Sequence, residues 1–388
     1  MVTMTLLAII YVSFISLGLP DAVLGSAWPL MSVDLAAPLW GAGLIQMTTS
    51  CGTVISSLNT ARLIRRFGTG KLTAMSVAMT AAALLGFSLA KNYAWLVLMA
   101  VPLGLGAGAV DSALNNYVAL HCRPWHMSWL HCFWGVGTIT GPIVLSNLLR
   151  TGMPWSRGYV TLGLAQVVLC AVLFLTLSQW KRGNAQEEEK KAKVLSTAQV
   201  LAIPGAKQGM LTFFCYCAVE QLVLLWASTY MVEARSVDPI QAASWGALFC
   251  LGITVGRGLS GFMTMKFTPR QMVNISKAVM LLGAALLFVP STLVMVCALV
   301  IFGLGCAPVY PNIIQDTPIN YGEENSQAAI GVQMASAYVG TTFVPTLFGA
   351  VANVLGYGVM PVAVLVLTLA MCALHGAQMR IVDARKNG

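Results

Sequence analysis

The sequence predicts an all-α polytopic membrane protein with twelve transmembrane helices in two pseudo-symmetric six-helix bundles. Three observations predict it. Of 388 residues, 57% are hydrophobic and only 9% charged, whereas a soluble chain carries charge on roughly a quarter of its residues. Apolar runs long enough to cross a ~30 Å hydrocarbon core recur from end to end. Short motifs of the first half also return in the second, at an offset near 200 residues.

The predicted spans cover about 5–29, 40–61, 72–90, 94–120, 128–149, 157–180, 207–232, 240–264, 271–290, 292–314, 326–352 and 357–379. The first lacks a basic n-region, and its apolar run continues past any plausible cleavage site. It reads as a retained helix rather than a signal peptide. The one sizeable hydrophilic segment, "QWKRGNAQEEEKKAKVLSTAQ" (179–199), divides the spans six and six. This predicts a first bundle over 1–180, a cytoplasmic linker over 181–206 and a second bundle over 207–388. With a cytoplasmic N-terminus, only Lys91, Arg150, Arg157 and Arg235 of the 22 Lys and Arg fall outside. That positive-inside bias places both termini in the cytoplasm, with a bacterial inner membrane the expected location. The net charge of +9 follows the membrane rule and is no nucleic-acid footprint.

The repeat can be read segment by segment. "CGTVISSLNTARLIRRFGT" (51–69) aligns with "LGITVGRGLSGFMTMKFTP" (251–269), pairing Gly52 with Gly252 and Phe67 with Phe267. "GVGTITGPIVL" (135–145) matches "YVGTTFVPTLF" (338–348), and "GLG" occurs at 104–106 and 303–305. Two parallel six-helix repeats are the architecture of the major facilitator superfamily, whose substrate site lies near the bilayer midplane.

Three acids fall inside predicted spans: Asp21, Asp111 and Glu220. An acid at that depth normally faces a wet cavity or a partner, and is a functional candidate by default. The repeat relates Asp21 to Glu220 but sends Asp111 to Tyr310, so the acid of the fourth span breaks the symmetry. By depth, Asp21 comes late in an outward-running helix and Asp111 late in an inward-running one. Carboxyls so placed suit a carrier that takes a proton on one side and releases it on the other. All three are proton-coupling candidates, and the alternative for each is a helix–helix hydrogen bond.

Asn115 lies one turn beyond Asp111, on the same helix face. Gln46, Trp134, Tyr310, Asn312 and Gln333 complete the candidate substrate contacts, because amides bind hydroxyls and an aromatic face packs on the C–H face of a sugar. Gly104, Gly108 and Ser112 form a small-residue stripe for tight packing. Pro20 removes a helix hydrogen bond just before Asp21. Arg257, near the cytoplasmic end of its span, reads as a gating or structural residue. His121, His126 and His131 do not share a helix face, and none of the ten cysteines has metal-ligand spacing. No metal, cofactor, catalytic constellation or nucleotide-binding motif is expected, so a gradient rather than ATP must drive transport.

Several segments carry a likeness. "GLGAGAVDSALNNYV" (104–118) resembles the helix-4 signature of the fucose–proton symporter branch of the major facilitator superfamily, and "LGLPDAVLGSAWP" resembles its helix 1. "LHCFWGVGTITGPI", "CYCAVEQLVLLW" and "GLGCAPVYPNI" are similar to its helix-5, helix-7 and helix-10 segments. The resemblance implies proton coupling and sugar binding for Asp21 and Asp111. Two departures stand out: the proline that usually follows the helix-4 Asn is missing, and the loop 2–3 signature is reduced to "ARLIRRFGTGK", with Arg65 in place of its acid.

The reading that results is a proton-coupled symporter of a sugar or similar polyhydroxylated solute, working by rocker-switch alternating access. It acts as a monomer in the lipid bilayer, without nucleic-acid partners. Sodium is the alternative coupling ion. The alternative functions are a proton-coupled drug efflux antiporter and a non-transporting receptor-like homologue.

Overall fold

The computed structural model describes residues 3–21, 23–37, 41–181 and 193–387. Residues 182–192 of the expected linker lie outside the described residues. The described chain is α-helical almost throughout, with two short 3-10 turns (Leu177–Lys181 and Tyr357–Val359) and no strand.

The first half comprises α1 (Met4–Gly18), α2 (Val23–Asp34), α3 (Gly41–Phe67), α4 (Thr69–Ser88), α5 (Tyr93–His121), α6 (Pro124–Arg150) and α7 (Trp155–Leu175). A short α8 (Thr197–Ala202) leads into α9 (Ala206–Arg235), α10 (Pro239–Met263), α11 (Pro269–Leu286) and α12 (Thr292–Cys306). Then come α13 (Val309–Gln315), α14 (Thr317–Tyr321), α15 (Glu323–Leu355) and α16 (Met360–Asn387). Counting α1–α2 and α12–α13 as one crossing each, nine helices among the described residues are long and apolar enough to span a membrane. With α3, α10 and α11 they make up the twelve-helix fold.

Helix is what a bilayer demands, since each backbone polar group must be satisfied within its own segment. The less apolar α3 follows the same rule with its side chains. Its hydroxyls bond back to the helix, Thr48 to the Leu44 carbonyl (2.8 Å), Thr53 to that of Thr49 (2.9 Å) and Thr60 to that of Ser56 (2.8 Å). Ends are capped: Asn92 accepts from the Trp95 amide at 2.9 Å, and Thr268 and Gln271 form a capping box ahead of α11. At the junction of α14 and α15, Gly322 takes φ +94°, a left-handed value that favours glycine.

Two spans read as continuous from sequence are broken, and proline is the reason in both. The first stops at Gly18 and restarts at Val23, through tight bonds from the Asp21 amide to Gly18 and the Val23 amide to Pro20. The expected 292–314 helix ends at Cys306, because Pro308 and Pro311 lack the N–H groups that would continue it.

The chain forms two compact units. Unit 1 holds Met1–Cys122, Leu130–Leu195 and Glu323–Ala335; unit 2 holds Arg123–Trp129, Ser196–Gly322 and Ser336–Gly388. Helices α6 and α15 thus each contribute one stretch to either unit.

Glycine sets the closest crossings, and the two units use it at matching positions. In unit 1 a Cβ on Gly104 would lie 2.1 Å from the Thr49 carbonyl oxygen, and one on Gly108 2.3 Å from that of Thr53, so α5 meets α3 backbone to backbone. In unit 2 a Cβ on Gly303 would lie 2.4 Å from the Phe249 carbonyl, and one on Gly252 2.5 Å from that of Val300. Likewise a Cβ on Gly137 would lie 2.1 Å from the Ile15 carbonyl oxygen in unit 1, and one on Gly340 2.8 Å from that of Phe214 in unit 2. The repeat read in the sequence is therefore a repeat of contacts. Such crossings hold helices by dispersion where lipid removes the hydrophobic drive.

Candidate functional site

In unit 1 the crossing of α1 on α6 fixes the first acid. Gly18, Gly137 and Gly141 remove every Cβ from that contact, with Cβ-to-carbonyl distances of 2.2, 2.1 and 2.2 Å if one were added. The chain then turns at Pro20, and the Trp134 indole Nε1 donates to Asp21 Oδ2 at 2.9 Å. Asp21 is exposed and Trp134 half-buried. A carboxylate and an aromatic ring meet here.

One helix turn before Trp134 on α6 stands His131. It reaches the second acid through an amide. Asn115 Nδ2 donates to Asp111 Oδ1 at 2.8 Å and to the Asp111 carbonyl at 3.0 Å. The His131 Nε2 meets Asn115 Oδ1 at 3.1 Å. Asp111 is only 4% exposed, and both Asn115 and His131 are buried. The i and i+3 positions of α6 thus carry a ring for each acid, imidazole toward Asp111 and indole toward Asp21.

Beyond Asp111, α5 is tied to the first turns of α15. Gln327 Nε2 donates to Ser112 Oγ (3.2 Å), Ser326 Oγ donates to Asn116 Oδ1 (2.6 Å), and a Cβ on Gly331 would sit 2.4 Å from the Ser57 carbonyl.

Unit 2 handles its acid differently. The Tyr216 hydroxyl donates to Glu220 Oε2 and stands 3.0 Å from the Cys306 carbonyl. Arg257 Nη2 lies 3.7 Å from Glu220 Oε1, the guanidinium side chain 7% and the carboxylate 20% exposed. Glu220 therefore faces a cation, whereas the donors described above for Asp21 and Asp111, the Trp134 indole and the Asn115 amide, are neutral. Tyr310 packs on Phe213 with ring centroids 4.8 Å apart.

The remaining candidates are dispersed. Gln46 is exposed on α3, and Gln333 is buried on α15 in unit 1. Asn312 is 1% exposed and gives its amide to the Pro308 carbonyl at 2.6 Å. Sequence reasoning missed His131 and Tyr216. The i, i+3 spacing of His131 and Trp134 within the expected 128–149 span was a usable signal. Among the described residues no group of His, Cys, Asp and Glu is arranged to hold a metal ion.

Comparison with known proteins agrees with this fold. The family model of the Major Facilitator Superfamily matches residues 10–345. "Bypass of stop codon protein 6" of Saccharomyces cerevisiae is 24% identical, covering 90% of this chain and 77% of the relative. The glucose/mannose transporter GlcP of Bacillus subtilis is 21% identical, over 78% of this chain and 77% of the relative. Among solved structures, the E. coli fucose:proton symporter FucP superposes with TM-score 0.74 at 16% identity, covering 97% of this chain and 98% of that one. The proton:xylose symporter XylE gives TM-score 0.77 at 13% identity, over 95% and 94%. Matched by the family model along most of its length, this twelve-helix integral membrane protein belongs to the Major Facilitator Superfamily, a transporter and not an enzyme.

Proposed function

We propose that the protein is a proton-coupled symporter of a sugar or similar small polyhydroxylated solute, working by alternating access. The observation that carries the reading is the pair of unit 1 carboxyls, Asp21 bonded to the Trp134 indole and Asp111 to the Asn115 amide, one exposed and one buried. The exposed Asp21, with Trp134, suits a hydroxylated ligand: the carboxylate accepts hydroxyl hydrogens and the indole offers a face. The buried Asp111 suits a proton, since a carboxyl away from water interacts very differently in its two protonation states. Glu220, held by Arg257 and Tyr216, braces α9 against α10. The fucose, xylose and glucose/mannose transporters among the similar proteins support the sugar class. The charge distribution supports cytoplasmic termini.

The test is accumulation. Proteoliposomes with an alkaline lumen and an acidic bath are offered a panel of radiolabelled monosaccharides and polyols. The reading expects at least one to concentrate inside. It expects Asp111→Asn to lose accumulation while still exchanging that solute across the membrane. Wild-type accumulation in Asp111→Asn contradicts the proton assignment. Sodium-driven uptake at clamped pH replaces the ion, and extrusion of cationic dyes without sugar uptake replaces the function.

A further inference from the structure

His131 belongs to no role assigned above, yet it is buried and bonded to a buried amide that is itself bonded to a buried acid. The direction of each bond follows from the donors available. Asp111 presents two acceptors to Asn115, its carboxyl Oδ1 and its backbone carbonyl, at 2.8 and 3.0 Å. The amide nitrogen must face both, so the amide oxygen is left pointing at His131. That oxygen is an acceptor only, so His131 Nε2 must carry a hydrogen. The imidazole is thereby held in one tautomer, or as the cation, and its N–H fixes the Asn115 amide. An amide that accepts at its oxygen donates more strongly through its nitrogen.

We propose that His131 is a positioning residue for proton coupling: through Asn115 it holds a hydrogen-bond donor on the Asp111 carboxylate and so sets the pH at which that carboxyl takes up its proton. The inference rests on the reading of Asp111 as the proton site. From α1 the Phe14 ring stands edge-on to the imidazole at 5.5 Å, and the ionisable group of that helix is Tyr11, stacked on Phe133 at 4.8 Å. On α5 the ionisable groups are Tyr93, Asp111 itself, Tyr117 and His121, and Cys122 follows its last turn. Of the helices packed on α5, α3 carries Cys51, Arg62, Arg65 and Arg66, α4 carries Lys71, and the first turn of α15 carries Glu323 and Glu324. On α6 they are His126, Cys132 and, at its far end, Arg150, and Asp21 lies beyond Trp134.

The experiment titrates the protein in proteoliposomes, without any solute, by the infrared C=O band of protonated carboxyls. The component lost in Asp111→Asn identifies the Asp111 band. His131→Phe keeps a ring against Phe14 but removes the donor, and the midpoint of that band is expected to rise by roughly half to one pH unit. His131→Gln restores a donor and is expected near wild type. Asn115→Ala cuts the link from the other side, raises the midpoint as well, and leaves a further His131 substitution without effect. A His131→Phe or Asn115→Ala midpoint equal to wild type overturns the inference, as does a His131→Gln shift as large as that of Phe. If Asp111→Asn removes no titrating band, the proton-site reading itself falls, and the two failures are thereby told apart.

Discussion

Two glycines of α6, two residues apart, give opposite predictions. A Cβ on Gly135 would meet nothing within 4 Å, whereas one on Gly137 would lie 2.1 Å from the Ile15 carbonyl oxygen and 3.1 Å from Gly18 Cα. Real Cβ contacts do not fall below 3.0 Å, so α1 and α6 must part by about 1 Å to admit alanine at 137. The obstacle is backbone, and no rotamer change relieves it. Both substitutions gain about 0.8–1 kcal/mol of helix propensity. Only Gly137→Ala also bears an overpacking cost of roughly 1–3 kcal/mol. The two variants should therefore differ in stability by about that cost, with Gly137→Ala the weaker. Thermal denaturation of the purified protein reads it: Gly135→Ala melts at or above wild type, and Gly137→Ala melts below. The same parting pulls Trp134 from Asp21, now 2.9 Å apart, so proton-driven uptake should fall in Gly137→Ala alone. Gly340, whose added Cβ would lie 2.8 Å from the Phe214 carbonyl oxygen, a milder clash, is the graded control and should lose less. Coincident melting of Gly135→Ala and Gly137→Ala would refute the close-crossing account of how the acid is placed.

The ion pair of unit 2 gives a cycle. Arg257→Met strands Glu220 and should destabilise the protein by up to ~3 kcal/mol, short of the ~3–5 kcal/mol of a fully buried pair because the carboxylate is one-fifth exposed. Adding Glu220→Gln should recover most of that loss, and purely additive melting shifts would show that the two side chains do not interact. The double variant should still accumulate solute, since Glu220 is read as a brace. Loss of accumulation in a well-folded Glu220→Gln/Arg257→Met protein would move the coupling role to unit 2.

Much of the fold was written in local patterns. Apolar runs mark the spans because a bilayer admits helix and excludes irregular lipid-exposed backbone. Gly52, Gly104, Gly252 and Gly303 recur in register because each sits where two backbones touch, a constraint visible in sequence as well as in space. The acids were legible for the same reason: Asp21, Asp111 and Glu220 are rare residue types for their surroundings. What was not legible depends on phase and on distance along the chain. His131 meets Asn115 across two helices, and nothing local in "LHCFWGVGTITGPI" announces that partner. Arg257 meets Glu220 across two helices, and nothing local in "GITVGRGLSG" announces that partner. The substrate contacts proposed for Asn115 and Asn312 rest on residue type, which does not say which acceptors their amides meet in the fold. Here those acceptors are the Asp111 carboxyl and the Pro308 carbonyl.

The central claim is that solute and proton move together through Asp111. It is tested most directly in weakly buffered proteoliposomes with no imposed gradient, by adding the accumulated monosaccharide outside and following external pH. The account predicts a transient external alkalinisation in wild type and none in Asp111→Asn, with solute exchange retained in both. No pH change in wild type, or an equal one in Asp111→Asn, would contradict it.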